Sequence, residues 1–209
     1  EILSGLVGSE MCIRDRAYIA LDVRPHTIVG ANRLIFSDVD ASLVAHVPGP
    51  DHVLGVGAAS QSLLQSTPVS PVSSVLDLGT GSGVQLLGQL ECADKVTATD
   101  VHGRALDLAQ ATIAASGESK KVELLQGSWF DPVAGRRFDR LVANPPFVVG
   151  LPEVGHVYRD SGLNLDGASE LVVSQATDHL TPGGTAHLLA AWIHTSGQTW
   201  QQRVASWLP

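Results

Sequence analysis

The chain has 209 residues, 44% of them apolar and 16% charged, a balance that suits a globular domain with a sizeable core and excludes disordered and fibrous classes. Gly, Pro, Asp or Gln interrupts every hydrophobic stretch well short of the roughly eighteen apolar residues that a membrane-spanning helix needs. Thirteen basic against twenty-one acidic side chains leave a net charge of −8, which opposes a nucleic-acid polyanion unless basic residues cluster locally. Cys12 and Cys92 lie far apart and match neither a disulfide framework nor a zinc spacing, so the expectation is a cytoplasmic protein with no metal.

Residues 10–16, EMCIRDR, show neither hydrophobic period nor cap. Their back-translation, GAG ATG TGT ATA AGA GAC AG, resembles the mosaic-end adapter of transposase-based sequencing libraries read through as coding sequence, so residues 1–16 are set aside as non-native. Met11, the single Met, and Cys12 fall inside that segment, and the native N-terminus is expected to be lost. Residues 17–71 read as a partial leading segment, with strand-like TIVGANRLIFSDVD and SLVAHV, the turn cluster PGPD at 48–51 and the Gly-rich HVLGVGAAS. The Pro/Ser-rich stretch 66–74 predicts a boundary ahead of a main domain over 72–209. From there strands and helices alternate. Strands are predicted over 72–78, 95–100, 122–126, 138–143 and 185–193, and helices over 84–90, 104–115, 168–180 and 197–208, with Asp166 as a candidate N-cap. Such alternation implies α/β architecture, a parallel sheet with helices on both faces.

Residues 75–83 read VLDLGTGSG, an apolar strand running into glycines at alternate positions, Gly79, Gly81 and Gly83, directly before a helix. Glycines there let the backbone turn sharply and approach a ligand with no Cβ in the way, while the first turn of the helix offers unpaired N–H groups to an anion. A nucleotide-like ligand is implied. The dinucleotide fingerprint places its third glycine three positions after the second, and position 84 is Val, which argues against NAD. Asp100 closes the following strand, KVTATD, where a carboxylate can accept hydrogen bonds from both hydroxyls of a ribose. Taken singly, a glycine triplet also suits a tight turn and a strand-end Asp a helix cap. In this order and spacing, VLDLGTGSG with ATD resembles motif I and the acidic loop of the class I S-adenosylmethionine-dependent methyltransferases, over about residues 72–208. The resemblance implies a Rossmann-like methyltransferase sheet and S-adenosylmethionine as cofactor, with Asp77 and the loop Gly79, Thr80, Gly81, Ser82 and Gly83 around its methionine part and Asp100 on its ribose.

The strand predicted over 138–143 ends in Asn144, Pro145, Pro146 and Phe147. Two prolines cannot continue a sheet ladder, but they hold the Asn144 side chain and nearby carbonyls rigidly at the carboxyl edge of the sheet, where open α/β folds bind ligands. An amide oxygen and a main-chain carbonyl can accept both N–H bonds of a planar NH2 group while an aromatic ring stacks on its π face. Acceptors aimed at those bonds draw the nitrogen towards sp3 and stabilise the positive charge that develops as it attacks. The alternative is a strand-ending turn whose aromatic plugs the core. NPPF resembles motif IV of the amino-methylating branch, which includes glutamine methyltransferases of peptide release factors, N6-adenine methyltransferases of DNA and RNA, and N2-guanine methyltransferases of ribosomal RNA. That likeness implies a protein, RNA or DNA substrate, no membrane and no metal. Gly127, Ser128 and Trp129 resemble the segment that flanks the adenine, where Trp129 can pack its ring on the base. Tyr158, Arg159 and Asp160 fall where family members form part of the substrate wall. His102, His156 and His194 lack ligand spacing and receive no role.

The family pattern is not met at the ends: the chain stops on the helix after the fifth strand, so the sheet is expected to be truncated before its last two strands. Residues 17–71 are also too short and strand-like for the helical domain of the release-factor branch. The competing readings are a catalytically silent nucleic-acid-binding or scaffold module and an NAD-dependent oxidoreductase.

Overall fold

The computed structural model describes residues 21–40, 49, 51–149, 162–163 and 165–209. The adapter-like segment 1–16, the stretch SLVAHV, His156 and Tyr158, Arg159 and Asp160 lie outside the described residues. The strand-like piece around residue 28 is a hairpin: β1 (Leu21–Ile28) pairs antiparallel with β2 (Ala31–Asp38). Val29 (φ 47°) and Gly30 (φ 79°) between them are both left-handed, as a two-residue type I′ turn requires.

The main sheet has five strands in the order β5-β4-β3-β6-β7, all parallel: β3 (Val72–Leu78), β4 (Ala93–Asp100), β5 (Val122–Gln126), β6 (Phe138–Ala143) and β7 (Leu180–Leu188). The helices are α1 (Ala58–Ser66), α2 (Val84–Gln89), α3 (Gly103–Ser116), α4 (Gly167–Ala176) and α5 (Trp200–Ala205). Along β3 and β6 the pleat sends alternate side chains to opposite faces. Val75 and Val142 join Leu86, Leu90, Val96, Ile113, Leu63 of α1 and Ile28 and Ile35 of the hairpin. Leu76, Leu78, Leu141 and Ala143 face the other way, onto Phe130, Val133, Val172 and Ala176. Both faces are therefore covered, which is why Val75, Leu76 and Leu78 of β3 and Leu141, Val142 and Ala143 of β6 are apolar on both sides of the sheet.

Three expectations shift. The fifth strand runs over Leu180–Leu188, earlier than 185–193. It begins opposite Phe138 and takes up residues 181–184 in an irregularity before Arg140 pairs with Thr185. It ends because later amides leave the ladder: Ala191 N donates to Ser169 Oγ (3.0 Å) and Ile193 N to Asp166 Oδ2 (3.0 Å). Asp166 does precede α4 but makes no side-chain cap. Its carboxylate is taken by the Arg203 fork, Nε to Oδ2 and Nη2 to Oδ1, both at 2.6 Å. Finally, α1 is a helix that no sequence signal announced. Among the described residues, no helix is long and apolar enough to cross a membrane.

The chain runs outward from β3 to β4 and β5, then returns to place β6 on the other side of β3. Strand order reverses there, and such a point leaves a crevice at the carboxyl ends of the two strands. In register, Leu78 lies beside Ala143, so the glycine loop and the Asn144 turn leave the sheet from adjacent positions.

Candidate functional site

A cavity of about 490 Å³ opens at that switch point. Gly79, Thr80, Gly81 and Ser82 line it, together with Asp100, Ser128, Trp129, Asn144, Pro145 and Pro146. Asp77, Gly83 and Phe147 of the expected set are not on its wall.

Gly79, Gly81 and Gly83 all have positive φ (73°, 54° and 83°). A Cβ on Gly81 would meet only Val53 Cγ1, at 4.0 Å, so backbone conformation and not crowding demands glycine there. The loop is fixed by Thr99 O, which accepts from Gly79 N (3.0 Å) and Thr80 N (2.8 Å). Gly127 is glycine for the other reason: a Cβ there would lie 2.4 Å from Pro132 Cγ. Trp129, two residues on, holds φ at 45°, a conformation that costs a non-glycine residue energy and tends to occur at functional positions.

Asp100 is held edge-on by two amides, Gly81 N to Oδ2 (2.9 Å) and His102 N to Oδ1 (3.0 Å). A carboxylate offers about four acceptor positions, so Asp100 keeps capacity for donors arriving from the cavity. Asp77 lies behind the loop, 1% exposed. Its Oδ2 accepts from Thr80 Oγ1 (2.7 Å) and Leu86 N (3.0 Å), whereas its Oδ1 has no partner. Burial, with the Asp100 charge adding to it, pushes the Asp77 carboxyl up to about 7. It shapes the loop and the first turn of α2 from beneath.

The opposite wall comes from the segment ahead of β3. Asp51, His52, Val53, Leu54, Gly55 and residues 57–60 all face the cavity. Ser82 Oγ donates to Leu54 O (2.8 Å) and Gln85 Nε2 to Ser60 O (2.9 Å), which ties this wall to the glycine loop and α2. α1 starts here without a side-chain cap and with no acidic residue in its first turn, so its leading amides have no intrahelical acceptor, and residues 57–60 that carry them line the cavity. Leu78, Val84, Gln85, Thr99, Val101, His102, Ala105 and Gly127 complete the lining. The repeated glycines of HVLGVG are the one signal for this wall; its ties to the glycine loop and α2 end on the backbone carbonyls of Leu54 and Ser60. Among the described residues no group of three or more His, Cys, Asp or Glu could hold a metal ion.

The methyltransferase small domain family matches the chain over residues 54–198. That span begins ahead of residue 72 and takes in α1 and most of the wall. The chain is 34% identical over 123 residues to a release factor glutamine methyltransferase of Gloeobacter violaceus, covering 53% of this chain and 43% of that protein. It is 32% identical over 154 residues to ribosomal RNA small subunit methyltransferase C of Escherichia coli, covering 73% of this chain and 41% of that protein. The chain thus spans about two fifths of the length of these curated relatives. In fold it is similar to the Thermus thermophilus 16S rRNA N2 G1207 methyltransferase solved with AdoMet and guanosine, with a TM-score of 0.60 and 23% identity, covering 82% of this chain and 42% of that one. The glycine loop, the carboxylate held after it and the diproline turn beside it all fall within the matched span, and the chain belongs to the methyltransferase small domain family.

Proposed function

We propose that the chain carries the catalytic domain of an S-adenosylmethionine-dependent N-methyltransferase acting on a planar amide or exocyclic amino nitrogen, in a protein glutamine or a nucleic-acid base, in the cytoplasm. The observation that carries this reading is the β3–β6 register, which sets the Gly79 loop and the Asn144 turn on one cavity. Its volume lies within the roughly 300–1,000 Å³ of small-molecule sites, and its donors suit the cofactor's parts. Asp100 retains acceptor positions for the ribose hydroxyls, Ser128 and Trp129 flank the adenine side, and the uncapped first turn of α1 faces the cavity with amides suited to a carboxylate. When bound, S-adenosylmethionine supplies an electrophilic methyl group on a sulfonium.

The chain's own residues orient the nucleophile. The Asn144 carboxamide oxygen and the Pro145 carbonyl accept the two N–H bonds of the acceptor nitrogen, and the prolines prevent either from swinging away. Phe147, half-buried and off the cavity wall but following Pro146 directly, is the surface on which the planar group would stack where it enters beyond the cofactor. Positioning and electrostatics then replace a strong general base.

Two relatives have names that point to different acceptors, a release factor glutamine and small-subunit ribosomal RNA, so protein and RNA are both assayed. Incubation with methyl-labelled cofactor and separated cellular protein and RNA should label one pool. Asn144→Ala should lower turnover about 100-fold or more while calorimetry with S-adenosylhomocysteine shows affinity within about threefold of wild type. Equal loss of both would remove Asn144 from the nucleophile. Cofactor binding with no transfer to any pool would favour the silent module, and titration by NADH instead of S-adenosylhomocysteine would overturn the cofactor assignment.

A further inference from the structure

We infer that Asp38, at the end of the leading hairpin, is a positioning residue for the cofactor: it pins the 51–54 stretch of the cavity wall to the start of α3. The inference rests on the methyltransferase reading above and concerns a residue ahead of the matched span.

Asp38 ends β2 and is 7% exposed. It clasps Val53 at two points, its own amide donating to Val53 O (3.0 Å) and its Oδ2 accepting from Val53 N (2.8 Å). Arg104 closes on the same carboxylate, Nε donating to Oδ2 at 3.2 Å and Nη2 pairing with Oδ1. His52 Nδ1 stands 3.7 Å from Oδ2. Arg104 holds the Asp38 carboxyl below its ordinary range, as do the Val53 amide and His52, against the opposing effect of burial.

A buried carboxylate survives only when its lone pairs are used and its charge is matched. Here one side chain meets both needs and joins three elements, the hairpin, the wall and α3. Val53, so held, packs with Ala105, Leu108 and Phe36 and lies against Gly81. Two further ties of the wall, from Ser82 and Gln85, come from the glycine-loop side. Asp38 supplies the tie on the side of Val101, His102 and Ala105, next to Asp100. Without it, residues 51–54 lose their anchor beside the ribose position, while the Asn144 turn, on the other strand, is untouched.

The test is calorimetric titration of S-adenosylhomocysteine into wild type, Asp38→Ala, Asp38→Asn, Arg104→Ala and the Asp38→Ala/Arg104→Ala pair, each checked for fold by circular dichroism. Because Asp38→Ala strands the Val53 amide and the Arg104 guanidinium and leaves the wall to be ordered when the cofactor binds, it should weaken binding roughly 10- to 100-fold. Asp38→Asn keeps an acceptor for Val53 N but not the charge for Arg104, and should fall between. The double variant should be no weaker than Asp38→Ala, because the two groups act as one unit. KM for the cofactor should rise while kcat at saturating cofactor stays within about twofold, and amide exchange at residues 51–54 should speed up in the free protein. Wild-type affinity in a folded Asp38→Ala, or in Asp38→Asn and Arg104→Ala should the alanine variant not fold, overturns the inference and leaves the methyltransferase reading intact. A parallel loss of kcat also overturns it. Failure of wild type itself to bind S-adenosylhomocysteine overturns the methyltransferase reading and the inference with it.

Discussion

Replacing Asp77 with Asn should change how stability depends on pH more than it changes stability itself. The Asp77 carboxyl is raised from 3.8 to about 7 by burial. Between those values the folded chain keeps a proton that the unfolded chain gives up, so the contribution of Asp77 is whole below about 3.8 and is lost by about 7. At about 1.4 kcal/mol per tenfold change in proton affinity, the loss across this window is about 4 kcal/mol. Asn keeps an acceptor for Thr80 Oγ1 and Leu86 N but sets an amino group where Oδ1 has no partner, at a cost of about 1–3 kcal/mol. The variant should therefore be less stable than wild type near pH 4 and more stable near pH 8. Other groups titrate nearby with the opposite sign. Asp38, Asp139 and Asp166 are held below the ordinary carboxylate range, chiefly by hydrogen bonds from Arg104, Thr181 and Arg203 against burial, and their stabilisation is lost as pH falls through those lowered values. Burial, with the Arg140 charge, lowers His187, so its contribution too is lost as pH falls through its folded value. Both proteins share these groups, so the difference between their urea unfolding free energies, stepped from pH 4 to 8, isolates Asp77. Parallel curves would refute the reasoning.

Asp100→Ala should weaken S-adenosylhomocysteine roughly 10-fold or more by calorimetry, the worth of charge-assisted hydrogen bonds to the ribose. Asp166→Ala should destabilise by about 1–3 kcal/mol in urea, since it strands the Arg203 fork and the Ile193 amide. A cycle with Arg203→Met should be non-additive. Gly127→Ala, with its Cβ 2.4 Å from Pro132 Cγ, should cost about 1–3 kcal/mol of stability and lower cofactor affinity, because the strain is taken up beside Trp129.

The strands were legible where burial is continuous. Residues 72–78, 122–126 and 138–143 were expected as strands and are β3, β5 and β6 to the residue: in β3 and β6 a buried apolar stretch runs into turn residues, whereas β5, with no fully buried residue, shows only the short apolar pair Leu124 and Leu125. The last strand slipped because Thr181, Pro182, Gly183 and Gly184 spell a turn, yet the chain absorbs them as an irregularity opposite Phe138 and Arg140. α1 was illegible because it buries one large apolar side chain, Leu63, too little to print a helical period. The site divides the same way. Glycine loop, Asp100 and diproline turn declare themselves by residue type, whereas the opposite wall works largely through backbone and small side chains. The Asp38–Arg104 pair joins positions 66 residues apart, a separation over which no local pattern carries information.

Asp38, Asp77 and Asp100 all stand about the glycine loop and its wall, and environment separates their work. Asp38 has a guanidinium and stays charged as a strut outside the lining. Asp77, buried with one oxygen unpartnered, holds its proton up to about pH 7. Kept neutral, it can grip Thr80 and α2 without setting a second negative charge behind Asp100. Asp100 lines the cavity, and two amides aim it while leaving acceptor positions open. Were Asp77 ionised, repulsion between the two carboxylates would act through the Gly79–Gly83 loop that both of them fasten, Asp77 through Thr80 and Asp100 through Gly81. S-adenosylhomocysteine, which lacks the sulfonium charge, should therefore bind more weakly as pH rises through about 7 in wild type and equally well across that range in Asp77→Asn, so a single protonation would couple the fold's stability to the occupancy of its site.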